Sequence, residues 1–181
     1  MRKDLFLQAI QSRTARVAVG ASAVRGRGNA GAVAASRAYL RRLDLARLVV
    51  EDPRAFQTEL DRATNKLRLA LPRNAQHWGL ARKILNIFLR DCLYTSYLSD
   101  AFQLRRTERL LELPLDSITA KKLRQATGPG WLPLWPGVKH LTPAISARFQ
   151  EAAAHAADMQ EISRVHLDAV WWSASRDEDA A

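Results

Sequence analysis

Cysteine is almost missing from this chain. The single Cys92 excludes an internal disulfide framework and any four-cysteine metal or iron–sulfur site built from this chain alone. Long apolar runs are missing too. The most hydrophobic stretch, residues 84 to 98, is broken by Arg90 and Asp91, so it falls short of the roughly 20 apolar residues that a membrane-spanning helix needs. The opening residues Met1-Arg-Lys-Asp-Leu-Phe-Leu run into Gln8, Gln11 and Arg13, too soon for a secretory signal, while an amphipathic organelle-targeting segment stays open. No period-two alternation marks a strand and no internal repeat is visible. No group of His, Cys, Asp and Glu has zinc-ligand spacing, and no metal, redox or nucleotide cofactor is expected.

What is present is an apolar, strongly basic chain. It has 181 residues, 48% hydrophobic and 25% charged, which suits one compact domain over residues 1 to 174 with an acidic, frayed tail over 175 to 181. The net charge of +10 is unevenly spread. Residues 1 to 50 hold ten Lys and Arg against Asp4 and Asp44, residues 51 to 148 hold sixteen against nine, and residues 149 to 181 hold two against seven. Such a field favours a polyanion through counterion release from phosphates. A merely solvated basic surface gives the same tally. The expected setting is the cytoplasm, on the nucleoid in a prokaryote.

Helical signals dominate, and the fold class expected is all-α. Residues 4 to 17 read as an amphipathic helix that stops at Gly20, and the glycine-rich stretch from Gly20 to Gly31 reads as a loop. A helix over 33 to 43 follows. Asp52-Pro53 supplies a cap and first-turn proline for a helix ending before Pro72. The strongest pattern, Leu80, Ile84, Ile87, Phe88 and Leu98, predicts a core helix over 78 to 97. A short helix over 107 to 111 precedes Asp116, which caps another. Gly128 to Gly137 is an irregular loop, Thr142-Pro143 opens a helix to about residue 159, and a last helix spans 162 to 173.

Three features bear on chemistry. Trp78-Gly79-Leu-Ala-Arg82-Lys83 places a glycine near a helix start, where backbone N–H groups can hold a phosphate, and a lysine one turn further in. Leu113-Pro114-Leu115-Asp116 brings an acid to the start of the following helix. His166-Leu167-Asp168 with Trp172 sets an acid and an aromatic four residues apart, on one helix face.

Together these residues resemble the helix–hairpin–helix DNA glycosylases. Gly79-Leu-Ala-Arg82-Lys83 is similar to the end of the hairpin motif and its catalytic lysine, although Ala81 stands where a second glycine is usual. Pro114-Leu115-Asp116 is similar to the family's proline-then-aspartate signature. The 33-residue spacing from Lys83 to Asp116 and the His166-Leu167-Asp168 motif with Trp172 bring it nearest the archaeal 8-oxoguanine glycosylase branch, over roughly residues 76 to 173. The resemblance implies a two-lobed helical fold around a cleft, with Lys83 forming a Schiff base at the sugar C1′ and Asp116 assisting. It implies duplex DNA carrying a modified base as substrate, with the base flipped into a pocket. Asp168, Trp172, Phe88 and Asn29 are the expected base contacts. Trp78, Gly79, Arg82, Arg25, Arg27, Lys139 and His140 are the expected DNA contacts.

Each residue also has a plainer explanation. Capping alone accounts for Asp116, and a lysine on a helix flank commonly snorkels, as Lys83 would. Asp168 and His166 can serve local hydrogen bonds, Trp171-Trp172 can belong to a core, and the Arg25/Arg27 loop can be simply solvated. Two other classes therefore stand beside the enzyme: a non-catalytic DNA-binding module, and a helical adaptor binding a protein through the Trp131/Trp135 loop.

Overall fold

The computed structural model describes residues 3–20 and 30–171, and among them there are helices, turns and loops but no strand. The α-helices are α1 (Lys3–Ala18), α2 (Ala30–Leu40), α3 (Pro53–Ala70), α4 (Trp78–Tyr94), α5 (Ser96–Phe102), α6 (Ser117–Thr127) and α7 (Pro143–Asp158). Short 3-10 turns link them, the longest at Leu104–Leu110, and residues 167–171 are helical again. Among the described residues no helix is long and apolar enough to cross a membrane.

Local chemistry sets where these helices begin. The Asp52 carboxylate accepts from Ala55 N at 2.7 Å and Pro53 occupies the first turn of α3. Thr142 Oγ1 accepts from Ile145 N at 3.3 Å ahead of Pro143 in α7. Each cap satisfies an N–H group that the helix itself leaves unpaired. The long helix expected over 78 to 97 divides instead. At Thr95 the backbone turns extended (φ −86°, ψ 103°) and the Thr95 hydroxyl donates to Asp91 O at 2.7 Å. The same bond from Thr58 and Thr64 leaves α3 unbroken, so the hydroxyl accompanies the extended backbone of Thr95 and does not by itself end the helix; α5 starts afresh at Ser96.

Two apolar clusters form. The first gathers Leu40, Phe56, Leu60, Leu67, Ile84, Leu85, Phe88 and Leu98 around α4. The second gathers Leu113, Leu115, Leu123, Leu141, Phe149, Ala153 and Leu167, with Trp78 against it. Their central members are fully buried, which corresponds to about 1.5–3 kcal/mol for each large aliphatic side chain relative to exposure. The chain passes from one cluster to the other along residues 111 to 115, all buried. Gln150 of α7 fixes this passage: its amide donates to Leu113 O at 2.8 Å and its carbonyl accepts from Leu113 N at 3.0 Å.

Three expected ligand contacts turn out to be structural. Arg82 is buried, not DNA-facing: Glu112 accepts from its Nε at 2.8 Å and from Nη2 at 3.0 Å, Thr64 Oγ1 accepts from Nη1 at 2.8 Å, and Asp61 lies 3.0 Å from the same nitrogen. Gly79 is also buried, because the start of α4 is covered by the Val138–His140 turn. A β-carbon there would sit 2.3 Å from Val138 O and 2.6 Å from Leu141 Cβ. Its backbone is therefore closed off from a phosphate by the chain's own loop. Phe88 lies wholly within the first cluster, away from any surface that a base could reach.

Two stability outcomes follow from this packing. Gly79→Ala gains about 1 kcal/mol of helix propensity but forces a backbone carbonyl aside. The net expectation is a loss of about 2 kcal/mol, or a Tm lowered by roughly 4–8 °C in a thermal melt; an unchanged Tm would mean that the 138–141 segment does not sit on α4. Removing Glu112 by substitution with Leu leaves Arg82 buried beside only the half-exposed Asp61, a loss of about 3–5 kcal/mol in urea unfolding. The Arg82→Met/Glu112→Leu pair should be less damaging than Glu112→Leu alone, because it leaves no unmatched buried charge.

Candidate active site

One side of α4 carries Lys83, Ile87, Arg90, Asp91 and Tyr94, all partly or largely exposed, with Ile87 packed against the edge of the first cluster. Their spacing of four, then three or four, residues places them on one helical stripe. Opposite this stripe stand the start of α6 and the segment 164–168.

Lys83 meets Asp116 there. Its Nζ lies 3.3 Å from Asp116 Oδ2, with the side chains 12% and 29% exposed. Asp116 is at the same time the cap of α6, through its other oxygen. Oδ1 accepts from Ile118 N at 2.9 Å and from Thr119 N at 3.0 Å, and Thr119 Oγ1 accepts from Asp116 N at 2.9 Å, completing a capping box. One carboxylate oxygen is thus committed to the helix, and the rigid cap aims the second at the lysine. The N-terminal end of α6 adds a positive dipole next to this carboxylate.

Asp168 belongs to the same neighbourhood. Its carboxylate is engaged by Arg90 Nη1, while Arg90 Nη2 donates to Asp91 Oδ1 at 2.9 Å. Burial pushes the Asp168 carboxyl above the usual carboxylate range; Arg90 and Lys83 oppose that, and Asp116 adds to it. The Asp91 carboxyl is raised for the same first reason, against the pull of Arg90. Further along the stripe, Tyr94 Oη and His166 Nδ1 share a 2.9 Å hydrogen bond and their rings stack at 5.6 Å. His166 Nε2 and Glu108 Oε1 are also 2.9 Å apart. Burial raises the Glu108 carboxyl, but the hydrogen bonds from His166 and Ser163 outweigh it and hold the group below its usual range.

The structure therefore brings Lys83, Asp116 and Asp168 together, as the sequence suggests, but gives Asp168 a cationic partner that the sequence does not announce. Trp78 is half-buried against the second cluster with the Arg82 guanidinium 5.2 Å over its ring. Lys139 and His140 are exposed on the turn that covers the start of α4. Asn29, Arg25, Arg27 and Trp172 lie outside the described residues. Ile87 and Arg90 are the members that the sequence reading passes over. Counting four and seven residues on from Lys83 finds both, whereas Phe88, five residues on, turns into the core. Among the described residues no group of three or more His, Cys, Asp and Glu is placed to hold a metal ion.

The site thus offers a half-desolvated amine beside a fixed carboxylate, with a guanidinium and further acids in line. That combination suits nucleophilic attack on an electrophilic carbon, the carboxylate taking the amine's proton. No protein-family model, curated protein or solved structure matches the chain.

The two functions of Asp116 can be separated. Asp116→Asn keeps an oxygen for Ile118 N and Thr119 N, so its unfolding free energy should stay within a few tenths of a kcal/mol of wild type; Asp116→Ala should lose about 0.5–2 kcal/mol. Equal losses in both variants, read from urea unfolding, would show that Lys83 pairing and not capping carries the stability.

Proposed function

We propose that this protein is a DNA glycosylase with an associated lyase activity, excising a modified base, an oxidised purine such as 8-oxoguanine first among them, from duplex DNA. The observation that carries the reading is the 3.3 Å approach of Lys83 Nζ to Asp116 Oδ2, with both side chains only partly exposed. The resemblance of the segments around Lys83, Asp116 and Asp168 to the helix–hairpin–helix glycosylases supports it, as does the net charge of +10. In this reading the two apolar clusters are two lobes, and the stripe on α4 is the floor of the cleft between them. The protein works where DNA is held, which is the cytoplasm in a prokaryote.

The reaction runs as follows. Asp116 accepts a proton from Lys83, and the free amine attacks C1′ of the flipped nucleotide. The glycosidic C–N bond breaks, its electron pair leaving with the base, which takes up a proton. The Asp116 carboxylate, held by its cap, also stabilises positive charge developing on the sugar. Opening of the sugar ring gives a protonated imine between Lys83 and C1′. Loss of a C2′ proton then breaks the C3′–O bond and nicks the strand, and water hydrolyses the imine to release Lys83. Asp168, anchored by Arg90, borders the space where the base arrives, and Trp172, four residues on, is the stacking partner in this reading.

The test is borohydride trapping on a panel of duplexes carrying one modified base each. Wild type should yield a covalent protein–DNA adduct with at least one duplex. Lys83→Gln should yield none, and Asp116→Asn should slow base release by roughly 10²–10⁴-fold, the usual contribution of a positioned proton acceptor. Full base release and nicking by Lys83→Gln would sink the proposal. Tight, salt-sensitive DNA binding without adduct or base release in wild type would point to a non-catalytic binding module.

A further inference from the structure

The solvent side of α6 carries Ser117, Lys121, Arg124 and Gln125, all exposed, and with Trp135 they line a pocket of about 410 Å³. Trp135 is not a loose surface side chain. It is half-buried, and its ring meets the fully buried Phe149 edge-on, with centroids 5.3 Å apart and planes at 78°. The core therefore fixes the aromatic wall before any ligand arrives.

Among the described residues nothing compensates the charge of this pocket: no acidic side chain of theirs lines it, and α6 beyond its cap carries Lys121, Lys122 and Arg124 with no Asp or Glu. Among the described residues none of these three cations enters an ion pair. The larger groove between α2 and α3 differs. It too is lined by Arg42, Arg47, Arg62 and Lys66, but Asp44 shares the lining, Arg47 pairs with Asp44 at 3.4 Å, and Arg62 pairs with Glu59.

A fixed indole wall, two cations without an ion pair among the described residues, an amide and a hydroxyl together match a nucleotide: a ring to stack, a phosphate to neutralise and polar edges to bond. Stacking on an aromatic side chain and phosphate contact with Lys or Arg are the two components of strand binding that do not depend on base identity. We propose that this pocket holds one nucleotide of a nucleic-acid strand, its phosphate between Lys121 and Arg124, its base against Trp135 and its polar edge toward Gln125 and Ser117. Ser117 directly follows Asp116, so this nucleotide is a neighbour of the one presented to Lys83. That placement, though not the pocket's chemistry, rests on the glycosylase reading.

Fluorescence anisotropy with a labelled oligothymidine and an unmodified duplex, over a salt titration, tests the proposal on the full chain. Lys121→Ala/Arg124→Ala replaces two exposed side chains and leaves the apolar clusters untouched. It should reduce the slope of log affinity against log salt by about one to two. Trp135→Leu should weaken oligothymidine binding by roughly five- to a hundredfold. Wild-type affinity and salt slope in Lys121→Ala/Arg124→Ala would overturn the proposal, as would tighter competition at this site by a polyglutamate peptide than by oligothymidine. Borohydride trapping on the same proteins separates the two readings. A reduced slope with neither trapping nor base release in wild type keeps the nucleotide pocket and removes the glycosylase, whereas trapping with an unchanged slope does the reverse.

Discussion

The grip of Glu112 on Arg82 is the constraint from which the site's geometry follows. Two opposite charges are held inside the protein with both carboxylate oxygens engaged, and Asn86 donates a further hydrogen bond to Glu112 Oε2 at 3.0 Å. A buried ion pair adds little net stability, but a shifted register that left either charge alone would be heavily penalised. The pair therefore selects one alignment of α4 against the 111–115 passage. Lys83 follows Arg82 directly and so points to the half-open side of the helix. Asp116 follows Glu112 by four residues, with Leu113 held at both N and O by Gln150 between them. Two buried polar anchors thus determine where a partly buried lysine and a partly buried aspartate meet.

The sequence reveals those parts of the structure that depend on local physics. Asp52-Pro53, Asp116 and Thr142-Pro143 mark helix starts because a cap and its helix lie within three residues of each other. Lys83 is noticeable because it interrupts an apolar helical pattern. Arg82 is not, because an arginine on a helix ordinarily faces water, and the partner that draws it inward lies 30 residues downstream. Gly79 looks like a phosphate-binding glycine for the same reason: what closes over it, Val138 and Leu141, is remote in the chain. Phe88 and Ile87 are adjacent in sequence, yet Phe88 is wholly inside the first cluster and Ile87 only borders it, so one residue of error exchanges a core side chain for a partly exposed one. The break at Thr95 is a change of backbone conformation at one residue, which apolar periodicity does not register.

Electrostatics distinguish the stripe on α4 from the rest of this basic chain. Lys83 and Arg90 face Asp91, Asp116 and Asp168, two cations against three acids on a protein of net charge +10. Burial raises both Asp91 and Asp168. A carboxyl raised in the folded state binds its proton more readily there than in the unfolded chain, so its contribution to stability falls as pH rises from the ordinary carboxylate range through the raised value. In their ionised forms these two carboxylates therefore work against folding. Groups kept in that condition are concentrated at sites that bind or react, whereas Glu108, lowered by its hydrogen bonds, stabilises the fold over the same pH range.

Asp116 brings these arguments together. From sequence, its role as a helix cap competes with its role as a partner of Lys83, because either explains an aspartate at that position. In the structure the roles are divided between its two oxygens: Oδ1 takes the two N–H groups of α6, and Oδ2 faces the amine. The cap removes the side-chain freedom that a proton acceptor would otherwise lose each time it meets its partner, and it sets the free oxygen in a direction that the backbone of α6 fixes. A capping aspartate opposite a largely buried lysine is therefore held in one geometry, and the local signal that supports the plainer explanation also fixes the position of the oxygen that meets the amine.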